Sequence, residues 1–203
     1  MNNRDILVLS VEELPNFPFP SFAKYSEANA SGDAWLSADR AFALRWTQAG
    51  GYAPRSTQIL TSIFTWLPIF GALSYFIWII GSKSWIMLVT LPLLLVGYAV
   101  YHPGLGSLLG PIRTLLIGLT FVGLFYGLLA NKPHVLALCA ALSLVWYGIR
   151  QSYTLSIRCL TRAASLNEKM FCALWQDEKL SVVMRNGDQY WKSFKVVGGG
   201  ANP

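Results

Sequence analysis

The chain has 203 residues and a formal net charge of +6, and only 13% of its residues are charged against 54% that are hydrophobic. This charged fraction is about half that of an average globular domain. No acidic residue occurs between Asp39 and Glu168. The cations between Thr57 and Ile149 are Lys83, Arg113 and Lys132. A surface in water needs charge, so the central stretch excludes an ordinary soluble fold and predicts a membrane protein. The missing acids disfavour the alternative, two helical hairpins buried in a soluble core.

We expect no secretory signal peptide in the N-terminal arm, residues 1–58, because its only early apolar run (residues 6–9) is too short. We expect the first membrane helix to act as an uncleaved insertion signal. Ser10 and Glu13 fit a capping box, but the prolines that follow block a helix, so residues 14–22 should run extended.

A second feature of the arm is a helix expected from Asp33 or Ser37 to Gln48. It carries Arg40 and Arg45 together with aromatic side chains. One interpretation lays this helix on the inner leaflet, with Arg40 and Arg45 contacting anionic lipid headgroups. The other packs it onto the tail of the same chain. The sequence favours neither interpretation over the other.

Four apolar runs follow the arm, each close to the roughly 20 residues that a membrane-spanning helix needs. The second and third are just long enough, and the fourth falls short unless it continues past Arg150. Pro68 and Pro92 lie within the first two runs and should kink them. We predict an all-α membrane protein with a four-span helical bundle, its spans at 59–80, 85–101, 114–130 and 134–149.

Lys and Arg residues set the expected orientation. The arm carries five and the tail eight, whereas the loops at 81–84 and 131–133 hold one each. An even number of spans puts both termini on one side, and the cation excess predicts that this side is the cytoplasm. We therefore expect a multi-pass protein of the cell inner (plasma) membrane with both termini cytoplasmic.

The loop at 102–113 is then also cytoplasmic, and it contains His102 and Arg113 as candidate contacts for lipid headgroups or a partner. Arg113 either reaches to the headgroups or, if the third span begins at Leu105, lies about 12 Å deep and needs a partner. The membrane region contains no carboxylate that could pair with Arg113. The partner would be a lipid phosphate, a carbonyl freed by Pro111, or another protein.

Small residues line the third and fourth runs at spacings that let helix backbones approach closely. They are Gly118, Gly123, Gly127, Ala137 and Ala141. Two interpretations stay open: packing of the third span on the fourth within one chain, or an interface between copies in a homo-oligomer.

The tail, residues 150–197, should continue the fourth helix into the cytoplasm and then form a small helix and a β-hairpin. Ser165 and Glu168 fit a capping box, and Asn186 with Gly187 predicts a hairpin turn. The helix would present a candidate cytoplasmic partner surface of Met170, Phe171, Leu174 and Trp175, unless the hairpin covers it. Residues 198–203 are expected to be a disordered end.

The sequence contains few candidate catalytic or metal-binding side chains. His102 and His134 are predicted on opposite sides of the membrane, and the three cysteines have no ligand spacing. We therefore expect no catalytic, cofactor-binding or metal site, no cofactor and no nucleic-acid partner. The predicted function is a non-enzymatic subunit that binds, anchors or neutralises a partner protein, as an accessory of an envelope or secretion complex or an immunity-type protein does. An oligomeric channel or small-solute pore is the alternative, and a lipid-modifying enzyme using His102 is a third hypothesis.

Overall fold

The computed structural model describes residues 10–49, 53–102 and 110–197. The chain divides into two compact units. The first, which we call the terminal domain, consists of residues 1–46 and 157–203, and the second, the helical unit, of residues 47–156. We expected separate domains for the arm and the tail, whereas the structure combines both ends of the chain in one unit. The expected disordered end lies outside the described residues.

The elements follow one another in this order: α1 (Phe22–Ser31), β1 (Ala34–Ala38), α2 (Arg40–Gln48), α3 (Arg55–Gly81), α4 (Leu91–Tyr101), α5 (Gly110–Leu129), α6 (Pro133–Leu166), α7 (Glu168–Gln176), β2 (Leu180–Met184), β3 (Gln189–Tyr190) and β4 (Lys195–Val196). Two short 3₁₀ helices, Val11–Glu13 and Trp85–Thr90, complete the set.

The terminal domain contains a four-stranded antiparallel sheet of order β1-β2-β3-β4. The β2–β3 hairpin turns at Gly187, whose positive φ of 87° suits glycine. β1 joins the hairpin from the other end of the chain, with Leu36 opposite Val182. The helix predicted from Asp33 or Ser37 is therefore wrong for residues 34–38, because their alternating buried and exposed side chains fit a strand beside β2.

Side chains from both ends of the chain form the core of this domain. Tyr25, Phe171, Trp175, Leu180 and Val182 are all fully buried in one cluster. A hydrogen bond also joins the two chain ends in this core, since the Trp175 indole nitrogen donates to the Pro15 carbonyl at 3.2 Å. The two ends thus depend on each other for burial of their apolar surface.

Local capping differs from the sequence prediction at three helices. Asn167, not Ser165, caps α7 by accepting from the Met170 amide, while Ser165 bonds to its own helix. Ser10 makes no side-chain cap, and only a 3₁₀ turn follows it. α1 begins at Phe22, the last residue of the range expected to be extended, and no helix forms at residues 14–21. The Ser21 hydroxyl begins this helix, and Gly32 ends it in the left-handed conformation.

Within the described part of the chain three helices are long and apolar enough to cross a membrane, namely α3, α5 and α6. Residues 85–101 form a shorter apolar segment, in which the 3₁₀ helix leads into α4. Pro92 lies in the first turn of α4, where its missing N–H costs no helical hydrogen bond, so the kink expected there is replaced by a helix start. α6 continues to Leu166, which confirms the predicted extension of the fourth helix beyond residue 149.

Candidate functional site

Helix α6 is the common packing partner of α3, α4 and α5 in the helical unit, and glycines make each approach close. A Cβ placed at Gly71 in α3 would lie 3.1 Å from the Leu144 Cβ. One at Gly97 in α4 would lie 2.8 Å from Leu142 Cδ2. Backbones can approach this closely only where side chains are absent, and dispersion contacts then hold the helices together.

The glycines predicted in α5 divide into two groups. A Cβ at Gly123 would lie 2.5 Å from the Cys139 sulfur, and one at Gly127 would lie 2.9 Å from the Leu136 amide nitrogen. Both positions therefore face α6 within the same chain. Gly118 has nothing within 4 Å of its hypothetical Cβ and so faces open space. A pore assembled through Gly123 and Gly127 would need a face that α6 already occupies.

Ala137 and Ala141 do not lie opposite the α5 glycines. Ala141 is buried in a cluster with Tyr75 and Ile79 of α3 and Leu94 of α4, and Ala137 packs at its border. Cys139 and Leu136, on another side of α6, meet α5 instead. The sequence identified the small residues but assigned Ala137 and Ala141 to the wrong neighbour.

A cleft of about 470 Å³ opens between α3, α4 and α6. Its lining is almost wholly apolar and includes Trp66, Pro68, Leu94, Tyr98 and Val145. The hydroxyl of Thr65, also in the lining, donates to the Thr61 carbonyl of its own helix at 2.8 Å. Such a cleft suits an acyl chain or an apolar side chain, and it offers no group that would bind a charged solute.

The predicted headgroup contacts His102 and Arg113 lie where α4 ends and α5 begins. Tyr153 of α6 reaches His102, with 3.2 Å between its hydroxyl oxygen and Nε2. Arg113 is half-buried in the first turn of α5, which begins at Gly110 rather than at Thr114. The remainder of the predicted loop, residues 103–109, lies outside the described part of the chain.

Arg40 and Arg45 both point outward from α2, whereas the aromatic residues of that helix pack inward. Phe42 and Trp46 lie against the core of the terminal domain, and Lys179 sits over the Phe42 ring at 6.0 Å. Asp39 begins the helix by accepting from the Phe42 amide. This burial favours packing of α2 onto the chain's own tail over the inner-leaflet interpretation.

The predicted partner surface on α7 is not formed. Phe171 and Trp175 are fully buried, Leu174 is 7% exposed, and Met170 packs against the same core. The physical reason is that β2 and the N-terminal aromatic residues cover this face. For example, the ring centroids of Phe17 and Phe171 are 5.3 Å apart. Of the two alternatives that the sequence left open, internal packing is the one observed.

Instead, apolar side chains are exposed at the sheet edge formed by β4. Phe194, Val196 and Val197 are 50%, 48% and 70% exposed. Within the described residues β4 pairs on one side only, with β3. Lys195 bonds Asp188 at 2.8 Å, and this carboxylate raises the Lys195 pKa. Sequence reasoning missed this edge, although a β-prone run of apolar residues after the hairpin was there to indicate it.

Of the two cysteines of the terminal domain, Cys159 and Cys172, the second is buried. Burial raises the pKa of the Cys172 thiol to about 11, and the Glu168 carboxylate acts in the same direction. A protonated thiol neither attacks substrates nor binds metal well. In the described ranges no group of three or more His, Cys, Asp or Glu side chains is placed to hold a metal ion.

Comparison of the chain with protein-family models, with curated proteins and with solved structures finds no match in any of the three.

Proposed function

We propose that this protein is a non-enzymatic, multi-pass subunit of the cell inner membrane that anchors its terminal domain at the cytoplasmic surface and binds a partner protein there. The role is that of an accessory to an envelope or secretion complex, or of an immunity-type protein. The exposed apolar edge strand β4 carries the proposal, and the sheet pairing between the chain ends supports the topology.

Pairing of β1 with β2 constrains the number of membrane crossings. The two strands come from opposite ends of the chain, on either side of the helical unit. Strands of one sheet must lie on the same side of a membrane, because backbone pairing cannot extend through lipid. An even number of crossings between Ala38 and Leu180 is compatible with this pairing. The three long apolar helices alone would give an odd number, so we propose that the segment 85–101 is a fourth crossing.

The length of that segment fits this assignment. Its six 3₁₀ residues rise about 2.0 Å each and the eleven residues of α4 about 1.5 Å each, roughly 28 Å together. The hydrocarbon core of a bilayer is about 30 Å thick. A wholly α-helical segment of the same length would fall several ångströms shorter, so the 3₁₀ start extends a run that is otherwise marginal.

Cation distribution supports a cytoplasmic location for the terminal domain. Most of the 16 Lys and Arg residues lie in the two chain ends, and three lie between residues 57 and 149. Positive charge near membrane segments is retained in the cytoplasm.

The edge strand β4 supports binding of a protein segment. An exposed strand edge presents N–H and C=O groups with which another strand can pair. A partner strand added to β4 would satisfy these groups and cover Phe194, Val196 and Val197.

Photo-crosslinking tests the partner surface in intact cells. A photoreactive residue replaces Val196 in one variant and the exposed Ala173 of α7 in the control. We expect one discrete protein adduct from position 196 and none from 173. Recovery of uncrosslinked protein alone, or equal adducts at both positions, would contradict the proposal.

Cysteine accessibility tests the topology. Single cysteines replace Ser82, in the turn after α3, and Asn186, in the β2–β3 turn, in a chain whose three native cysteines are alanine. A membrane-impermeant maleimide should label position 82 in intact spheroplasts and position 186 only after permeabilisation. The reverse pattern would overturn the orientation, and labelling of both positions from outside would overturn the membrane assignment.

A further inference from the structure

A small polar cleft opens in the terminal domain between α1, β1 and the last turns of α6. It measures about 290 Å³, and its lining includes Tyr25, Asn29, Trp35, Thr161, Arg162 and Ser165. Neither the edge strand β4 nor the proposed partner binding accounts for it.

Tyr25 is the unusual member of this lining. Its side chain is 0% exposed, and its hydroxyl has no hydrogen-bond partner within the residues that the structure describes. Neighbouring rings fix its position, since Phe171 lies 5.5 Å and Phe19 5.9 Å from it, centroid to centroid. A buried hydroxyl without a partner destabilises a fold, so its retention calls for a ligand or an ordered water. Burial also raises the Tyr25 pKa, which keeps this hydroxyl protonated and able to donate.

The remaining polar groups make the cleft a site for an anion. Arg162 is exposed, and no carboxylate of the described chain forms an ion pair with it within 4.0 Å. Asn29 supplies an amide with two donors. The lining contains no acidic side chain. The hydroxyls of Thr161 and Ser165 donate to backbone carbonyls of α6. The hydrogen-bond donors that the lining offers to a ligand are therefore those of Arg162, Asn29 and Tyr25.

We propose that this cleft binds a phosphate group, with Arg162 making charge-assisted hydrogen bonds and Asn29 and Tyr25 completing the shell as neutral donors. A tetrahedral phosphate has enough oxygen acceptors for all three, and guanidinium geometry suits it. Trp35, which is 45% exposed in the lining, offers an apolar face to the organic part of the ligand. The phosphate belongs either to a soluble phosphate compound or to a lipid headgroup.

Two binding measurements on the full chain distinguish these sources. In the first, the protein in phosphatidylcholine nanodiscs is titrated calorimetrically with sodium phosphate at constant ionic strength. In the second, the detergent-solubilised protein is mixed with equal amounts of phosphatidic acid and phosphatidylcholine, and native mass spectrometry records which lipid is retained.

Three variants test the assignment of the donors. Arg162→Gln removes the charge, Tyr25→Phe removes only the unpaired hydroxyl, and Arg158→Gln removes a cation one turn away on α6 that is not in the lining. Loss of a charge-assisted hydrogen bond should weaken binding about tenfold or more in Arg162→Gln, and loss of a neutral one about threefold or more in Tyr25→Phe. Arg158→Gln should bind like the parent chain. Tyr25→Phe should also keep or raise the melting temperature without ligand, which separates lost binding from lost folding.

Binding of sodium phosphate with this order of variants supports a soluble phosphate ligand. Selective retention of phosphatidic acid with the same order, in the absence of sodium phosphate binding, supports a lipid phosphate. Absence of both, or Arg162→Gln and Tyr25→Phe behaving like Arg158→Gln, overturns the proposal.

Discussion

A Cβ added at Gly148 of α6 would lie 2.7 Å from the carbonyl oxygen of Phe64 in α3 and 2.9 Å from Cδ of Pro68. Proline has no N–H, so Pro68 cannot donate to Phe64, the residue four positions earlier in its helix. A carbonyl that lacks its helical donor is costly next to lipid. Gly148 allows α6 to cover this carbonyl closely. The proline of α3 and the glycine of α6 therefore belong to one helix contact.

Replacing Gly148 by Ala should weaken that contact. Alanine is the better helix former by about 1 kcal/mol, but the new methyl group would overlap backbone and the rigid proline ring, at a cost of about 1–3 kcal/mol or more. We expect a net loss of stability, measured as a lower midpoint of thermal unfolding in mild detergent. Gly118→Ala is the matched control, because its methyl group meets nothing within 4 Å. Equal effects of the two substitutions would contradict the packing assigned to α6.

Paired substitutions distinguish the two α5 glycines. At Gly123 the obstructing atom is the Cys139 sulfur, a side-chain atom, whereas at Gly127 it is the backbone nitrogen of Leu136. Gly123→Ala should therefore destabilise the protein by about 1–3 kcal/mol, and Cys139→Ala should restore part of that loss. Gly127→Ala should not be restored by Leu136→Ala. Thermal unfolding of the four variants and the two double variants measures the coupling. Rescue at both positions, or at neither, would refute the distinction.

Composition and periodicity were sufficient to predict the membrane character, the long α6 and the β2–β3 hairpin. These features depend on local or additive properties: a run without charge, a repeating apolar pattern, and the Asn186–Gly187 turn. Four membrane crossings and a cytoplasmic location of both ends stay predictions. The pairing of β1 with β2 brings the two chain ends into one sheet and does not indicate which side of a membrane that sheet occupies.

The sequence did not predict which distant segments pair. Residues 34–38 are short enough to suit a helix or a strand, and β2, more than 140 residues away, decides the outcome. The same long-range contact explains the error at α7, where the apolar face predicted to bind a partner is covered by the N-terminal aromatic residues. The Tyr25 cleft was missed for this reason too, since α1, β1 and α6 assemble it only in three dimensions.

Phe171 and Phe194 offer a direct comparison of core and surface in the terminal domain. Phe171 is fully buried and Phe194 is half exposed. Phe171→Ala should cost about 3–5 kcal/mol through lost burial and a cavity, whereas Phe194→Ala should change stability by about 0.5 kcal/mol or less. Hydrogen exchange of the β1 and β2 amides in the full chain measures the stability change caused by each substitution. Similar exchange in the two variants would show that the α7 face is not core.

The raised pKa of Cys172 predicts how the stability of the terminal domain depends on pH. An unfolded chain ionises this thiol near its ordinary pKa, about 8.5, whereas the folded domain keeps it protonated until about pH 11. Its contribution to stability is therefore complete below about pH 8.5 and is lost as the pH rises from there through 11. Urea unfolding followed by hydrogen exchange of β2 should show stability falling over this range. The other titrating groups act on Cys172→Ala as they do on the parent chain, so in this variant the fall should be shallower.

The reactivity of Cys172 gives a second measurement of its protonation. Alkylation of Cys172 by iodoacetamide in the native chain, followed by mass spectrometry of the peptide that contains it, should stay slow until the pH approaches 11, since only the thiolate reacts. Rapid modification at pH 7.5, or identical pH profiles for the two chains, would show that Cys172 is not buried as a neutral thiol beneath the sheet.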